Sequence, residues 1–295
     1  MLDSLTDVVL VIYKPDIKTL KCCIDSIHMQ VRTIWVIDNC SINCNVDALL
    51  AYTNVKLIQL EENRGIAHAQ NLGIKKSLEN KSKYILLSDQ DTIYPENFIN
   101  QMILIFNGAL KNIAAVAPLF HNTISTDKND GFIVLSKLGY SKIFPKKGIH
   151  SIYQAIASGL IIRSSTLNEI GLMNAALFID WVDYEWCWRV IANGYQVVGN
   201  ANIVIEHTLG DNIRRLSRKA ITIRTPLRHY YIIRNNFYLA IWSPYLDFRR
   251  RLFLLYKGVS HILAYSFLAT PKIENFKMTV LGLYHGVTRR LGRLD

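Results

Sequence analysis

Asp89 and Asp91, separated by Gln90, follow directly on the apolar run Tyr84-Ile-Leu-Leu. The run reads as a buried strand, and alternation along an extended backbone turns both carboxylates to the same side. Two adjacent carboxylates repel, and one takes up a proton unless a cation offsets the charge. A hard divalent cation does so with oxygen ligands and completes its shell from phosphates and water. The C-terminal edge of an α/β sheet is also where ligands settle. The pair is therefore a candidate metal–diphosphate site. A solvated turn after a strand has the same residues, so the tripeptide alone leaves both readings open.

A second concentration of acids, Asp180, Asp183 and Glu185, is interleaved with Trp181, Trp186 and Trp188. Residues 182–193 read as a helix closed by Gly194. An acid in a first helical turn is favoured by the macrodipole. A carboxylate beside a reacting hydroxyl is also a general base. Asp183 fits both descriptions. Tryptophans next to acids suit sugar rings, whose C–H faces pack on aromatics while their hydroxyls bond carboxylates. His207 ends a strand over residues 202–206. Its imidazole is either structural or a further metal ligand.

The elements that must position these residues follow a strand–helix rhythm. Apolar runs at 8–13, 34–37, 55–60, 84–87 and 114–117 read as strands. Residues 15–29, 46–52, 66–78 and 95–107 read as helices between them. This alternation predicts a mostly parallel sheet flanked by helices. Strands 34–37 and 84–87 both end in acids, Asp38 and Asp89, which places these residues along one edge. Residues 119–156 read as a segment with short strands at 132–135 and 141–144 that borders the site. Residues 157–163 are strand-like, with Gly159 marking either a bulge or a close approach.

The chain has 295 residues, half of them apolar, and a net charge of +11. That composition excludes a disordered chain and implies an anionic partner: nucleic acid, lipid headgroups or a phosphorylated small molecule. Five cysteines without a CxxC pair suggest neither a zinc site nor a disulfide framework, and so a reducing compartment. The polar, acidic start does not resemble a signal peptide. A dinucleotide-binding turn requires GxGxxG after the first strand. The sequence there is Tyr13-Lys-Pro-Asp, and no GxxxxGK[ST] occurs either. A phosphate group must be held by another device, and the acids at 89 and 91 are the available one.

Six segments in fixed order resemble glycosyltransferase family 2, with its GT-A nucleotide-binding fold, and most of all its bacterial rhamnosyltransferase branch. They are Val-Ile-Tyr13, Val-Ile-Asp38-Asn39, Glu-Asn63-Arg-Gly65 through Asn71, Leu-Leu-Ser-Asp89-Gln-Asp91, Phe-Ile-Asp180-Trp-Val-Asp183-Tyr-Glu185-Trp, and His207-Thr-Leu-Gly-Asp211. The likeness covers roughly residues 7–240. It implies a nucleotide pocket lined by Tyr13, Asp38, Asn63, Gly65, Asn71 and Asp89, with Asp38 accepting from a pyrimidine N–H. It implies Mg²⁺ or Mn²⁺ held by Asp89, Asp91 and His207, and Asp183 as the catalytic base. Val182 stands where the family usually has Glu, so Asp180 and Glu185 are candidate supporting acids. Arg224, Tyr230 and Arg234 resemble a downstream segment that closes over the diphosphate. The implied reaction is inverting transfer of a sugar, L-rhamnose from dTDP-L-rhamnose, to a lipid-linked saccharide in O-antigen or other cell-surface polysaccharide synthesis. Another nucleotide sugar such as a UDP-hexose is the alternative donor.

Residues 1–210 read as the catalytic unit and 211–295 as a basic linker followed by helices. Apolar residues flanked by arginines and tyrosines suit a helix on the inner face of the cell membrane. Packing on the α/β part, or against a second copy in a homodimer, suits them equally. A nucleic-acid-binding protein is the competing class, prompted by the charge. The basic residues concentrate after position 210, and no recognisable nucleic-acid motif accompanies them. A sugar-binding module without activity would have no use for Asp89, Asp91 and Asp183 together.

Overall fold

A computed structural model describes residues 5–42, 46–108, 112–122, 131–136, 139–207, 213–216, 219–222, 224–268 and 270–294. The first half of the chain contains β1 (Thr6–Ile12), α1 (Ile17–Ile27), β2 (Thr33–Asp38), β3 (Val55–Gln59), α2 (Ile66–Glu79), β4 (Tyr84–Ser88), β5 (Thr92–Ile93), α3 (Phe98–Phe106) and β6 (Ile113–Asn122). There follow β7 (Phe132–Ser136), β8 (Gly139–Ile143), β9 (Ile149–Ile152), β10 (Leu160–Arg163), α4 (Ser164–Ile170), α5 (Val182–Ala192) and β11 (Gln196–His207). The C-terminal part comprises a hairpin, β12 (Ile213–Leu216) and β13 (Lys219–Thr222), and the helices α6 (Pro226–Trp242), α7 (Phe248–Leu268) and α8 (Lys272–Val287).

Among the described residues the central sheet has nine strands in the order β3-β2-β1-β4-β10-β6-β11-β5, with β9 beside β11. β1 to β4 run parallel, as do β6 and β11, and these ladders are the long ones. β10 is inserted antiparallel between β4 and β6. Helices cover both faces, so the strands are apolar on both sides and read as unbroken runs. Val8, Leu10 and Ile12 of β1 face Leu20, Cys23 and Ile24 of α1. Val9 faces the opposite way, toward Ala67 and Ile74 of α2. Gly73 lets α2 lie close: a Cβ there would sit 2.4 Å from a Val9 methyl carbon.

Several boundaries differ from the sequence expectation. The helix expected at 46–52 is a short 3₁₀ turn, Asp47–Ala51. The helix expected from Pro95 starts at Phe98, because Asn97 adopts a left-handed conformation. β6 and β11 extend well beyond their apolar cores, and β11 absorbs a register shift between Asn200 and Val204. Within the segment expected to border the site, residues 119–122 of β6 pair with the end of β11, which in turn pairs with β5, while the β7–β8 hairpin lies beneath α7, where Tyr140 meets Phe253 edge-on. The stretch expected as a linker contains the β12–β13 hairpin.

The C-terminal helices pack on the α/β part. Leu239, Ala240, Leu246 and Leu254 belong to the same apolar core as β4 and α5. α6 is buried on almost every side. Gly282 and Gly286 of α8 bring the two helices together: a Cβ at Gly286 would lie 2.4 Å from the Arg234 carbonyl oxygen. Among the described residues no helix is long and apolar enough to cross a membrane.

Candidate active site

The acidic turn, residues 89–91, joins β4 to β5, so Asp89 and Asp91 stand at the C-terminal edge of the sheet and both are half-buried. The turn is fixed from below. The Cys23 thiol and the Ser88 hydroxyl both donate to the Asp89 carbonyl, at 3.5 and 3.0 Å. Tyr94 donates to Ser88 at 2.7 Å. Burial pushes the Cys23 thiol up to about 12, so it acts here as a neutral donor. Gln90 points the other way and accepts from the Tyr13 N–H at 2.9 Å. The turn after β1 is thereby tied to the acidic turn.

The same edge carries Asp38 at the end of β2. It is almost wholly buried, and it accepts from the Ser41 N–H at 2.9 Å and the Gln59 amide at 3.3 Å. Asn63 accepts from Asn39 and from the Gly65 N–H, both at 3.0 Å. Gly65 has φ +82°, and a Cβ on it would meet the Phe178 carbonyl at 2.5 Å. Glycine is thus required by a close backbone approach. Tyr13, Asp38, Asn63 and Gly65 are therefore neighbours in one hydrogen-bonded rim.

Asp183 lies in the first turn of α5 and is brought to this rim by the bend before β10. Its carboxylate accepts from the Ala157 N–H and the Tyr184 N–H, each at 3.0 Å. The bend is held to the acidic turn by the contact between Ser158 and Thr92. Burial pushes the Asp183 carboxyl up to about 7, the two N–H donors hold it down, and the charge of Asp89 adds to the rise. The two acids expected to work together therefore feel each other. Gly159 resolves as a tight bend with φ +74°, closed on by the side chains of Pro118 and Ile205.

Other expected site residues have different work. Glu185 is buried and forms a 3.0 Å ion pair with Arg189, whose guanidinium also donates to the carbonyls of Ile170 and Leu172. Through Arg189 it braces α5 against the preceding segment. The Asn71 side chain is engaged in both directions with the Met173 backbone, at 2.8 and 2.9 Å, and so ties α2 to that segment. Tyr230 and Arg234 are fully buried in α6. Tyr230 pairs with His285 at 2.8 Å, and Arg234 donates to the Leu177 carbonyl at 2.7 Å. Both side chains are engaged with protein groups, and a helical arginine reads the same in sequence whether it faces ligand or core. Arg224 is half-buried, and its charge is felt at His261. Asp180 pairs with Arg228 of α6 at 3.3 Å. Trp186 and Trp188 are core residues; only Trp181 is part-exposed.

The backbone of His207 is paired opposite Thr92, one residue from Asp91. Its side chain lies outside the described residues, as does Asp211. Among the described residues no three His, Cys, Asp or Glu side chains gather as a metal cluster. Two half-exposed carboxylates at a sheet edge remain, a donor set of hard oxygens that suits a cation whose other ligands are phosphate and water. Sequence reasoning missed the Ala157–Gly159 bend. Its one signal was Gly159, since a backbone N–H carries no residue signature.

The fold is that of an α/β enzyme with a mostly parallel sheet, and the family model "Glycosyl transferase family 2" matches residues 7–166. The chain belongs to that family and is a glycosyltransferase. It is 33% identical over 236 residues to the dTDP-rhamnosyl transferase RfbF of Shigella flexneri, covering 78% of each chain. It is 24% identical to the low-salt glycan biosynthesis hexosyltransferase Agl10 of Haloferax volcanii, covering 99% of this chain and 94% of that one. Among solved structures, GalNAc-T7 with UDP, GalNAc and Mn²⁺ superposes with a TM-score of 0.60 at 16% identity, covering 86% of this chain. This chain spans 55% of that protein, and the likeness establishes a shared GT-A fold alone.

A Glu185→Gln substitution separates bracing from catalysis. It leaves Arg189 buried without its counter-charge, which costs about 3–5 kcal/mol where such a pair is broken. The expected outcome is a clearly lower melting temperature with the turnover of the folded protein near wild type. Thermal denaturation and initial rates measure the two quantities.

Proposed function

We propose that this chain is an inverting glycosyltransferase that moves L-rhamnose from dTDP-L-rhamnose to a saccharide hydroxyl, with Asp183 as the general base. The observation that carries the chemistry is the Asp183 carboxylate, drawn out of water, oriented by two N–H donors and close enough to Asp89 to feel its charge. Support for the donor is the relationship to a dTDP-rhamnosyl transferase. A UDP-hexose is the second reading, favoured by the whole-length relative that is a hexosyltransferase.

In this reading the nucleotide lies along the rim. The exposed Tyr13 ring packs on the base. Asp38 accepts from the pyrimidine N–H with the lone pairs that Ser41 and Gln59 leave over, since an ionised carboxylate offers about four. Asn63 and Gly65 shape the floor. Asp89 and Asp91 hold Mg²⁺ or Mn²⁺, with His207 as a candidate further ligand. The bound cation would neutralise charge developing on the departing diphosphate. Asp183 takes the proton from the acceptor hydroxyl as its oxygen attacks the anomeric carbon from the side opposite the nucleotide. One displacement inverts that centre. A base with a pKa near neutrality suits proton abstraction from a hydroxyl at physiological pH.

The acceptor in this reading is linked to a polyprenyl diphosphate, as in O-antigen synthesis. Residues 1–210 bind donor and catalyse, and residues 211–295 meet the cytoplasmic face of the membrane. Support comes from exposed apolar residues on α7 and α8, among them Leu252, Tyr256, Leu263, Phe276 and Tyr284. Arg249, Lys257, Lys277 and Arg290 lie among them on the same helices or just beyond. Apolar surface set among cations fits an anionic lipid surface, whereas two such faces repel each other in a dimer.

Asp183→Ala should lower turnover by about 10²–10⁴-fold while donor binding, measured by calorimetry, survives. In the wild type, turnover should fall as pH drops through about 7, because protonation of Asp183 removes the base. A flat profile between pH 5 and 8 contradicts the assignment.

A thermal-shift panel of dTDP, UDP and GDP sugars, with and without Mn²⁺, tests donor and cation together. dTDP-L-rhamnose should give the largest shift, and only with the metal. Asp91→Ala should lose that metal-dependent part. Equal shifts in EDTA reject the metal role.

Flotation with phosphatidylglycerol vesicles at low salt tests the membrane reading. The protein should rise with the lipid, and Leu252→Asp with Phe276→Asp should release it. Protein that stays at the bottom of the gradient rejects that reading.

A further inference from the structure

We propose that Asn235 is a positioning residue for Asp183: from α6, its side-chain amide holds the 177–181 bend that sets the start of α5. The inference rests on the reading of Asp183 as the base.

The bend is costly to form. Phe178, Asp180 and Trp181 have φ of +64°, +61° and +67°. Residues with large side chains rarely adopt this region, and they remain there only when their surroundings over-determine them. α5 begins directly after the bend, with Trp181 at its N-cap position and no side-chain capping bond. The direction of its first turn, and so of Asp183, depends on what holds the bend.

α6 is what holds it. Asn235 is fully buried, and its Nδ2 donates to the carbonyls of Leu177, Ile179 and Asp180 at 2.9, 2.8 and 3.1 Å. Arg234 fixes which way that amide faces. Its Nε donates to Asn235 Oδ1 at 2.9 Å, so the NH₂ end must point at the bend. Arg234 itself donates to the Leu177 carbonyl and, on its far side, to the Gly292 carbonyl. Two further contacts from α6 act in the same direction. The Trp181 indole N–H donates to the Ile232 carbonyl at 3.1 Å, and the Phe178 ring stacks on Tyr231 at 4.9 Å. The Phe178 carbonyl in turn lies over Gly65 on the rim. One buried amide thus serves three carbonyls of the turn that aims the base.

The test uses the full chain with Asn235→Ala and Asn235→Ser. A misplacement of about 1 Å costs about 10²-fold in rate, so Asn235→Ala should lose turnover on that scale. Affinity for dTDP, measured by calorimetry with Mn²⁺ present, should fall far less than turnover, since Tyr13 and Asp38 lie on other elements and the bend meets the rim only at Gly65. Asn235→Ser retains one donor and should recover part of the loss; it carries the test alone if the alanine variant does not fold. Wild-type turnover in a folded variant overturns the proposal. So does a loss of turnover matched by an equal loss of dTDP affinity, which marks a residue that merely holds the fold. Asp183→Ala run alongside keeps the two readings apart. If it retains transfer, the base assignment fails. If it abolishes transfer while Asn235→Ala is neutral, only the positioning role fails.

Discussion

A carboxylate can be drawn out of water only if its lone pairs are met, and at Asp183 main-chain N–H groups from two elements meet them. Much of the molecule is arranged around that requirement. β10 runs against the direction of its neighbours, and the bend before it delivers the Ala157 N–H. The Ser158–Thr92 contact joins that bend to the acidic turn, so Asp183 and the acids at 89 and 91 are set by one local structure. The price is a carboxyl raised toward neutrality, which suits a proton acceptor.

The rim and the bend are connected through backbone. Gly65 belongs to the donor side and Phe178 to the catalytic side, and their contact leaves no room for a Cβ. α6 then locks the catalytic side from behind with buried polar groups. A buried arginine and asparagine in a helix are tolerable because their own donors are met, by carbonyls of the 177–181 bend and of Gly292. The C-terminal helices therefore frame the start of α5 as well as presenting exposed apolar surface.

The strand–helix order, the acidic edge and the identity of the rim residues were legible because each leaves a local pattern. Apolar runs broken by acids mark strand ends, and Asp38 and Asp89 fell where such ends occur. The protein partners of Glu185, Asn71, Tyr230 and Arg234 were not legible, for a common reason. Each is a polar residue on a helix, and whether it turns toward ligand or core depends on which helix packs behind it. The tryptophans near Asp183 misled likewise: Trp186 and Trp188 are core residues, with their indole N–H groups bonded to the Gly171 carbonyl and the Gln154 side chain.

The sequence by itself determined a layered α/β chain with carboxylates at the ends of successive strands, because burial on both faces of a sheet and the polarity of its edge are written in residue order. Tertiary structure alone decided the direction of β10, the donation from Ala157, and the inward turn of Arg234 and Asn235. Those features rest on backbone groups and on contacts between residues that lie some 20 to 60 positions apart, and a backbone N–H or carbonyl is the same at every position until the fold gives it a partner.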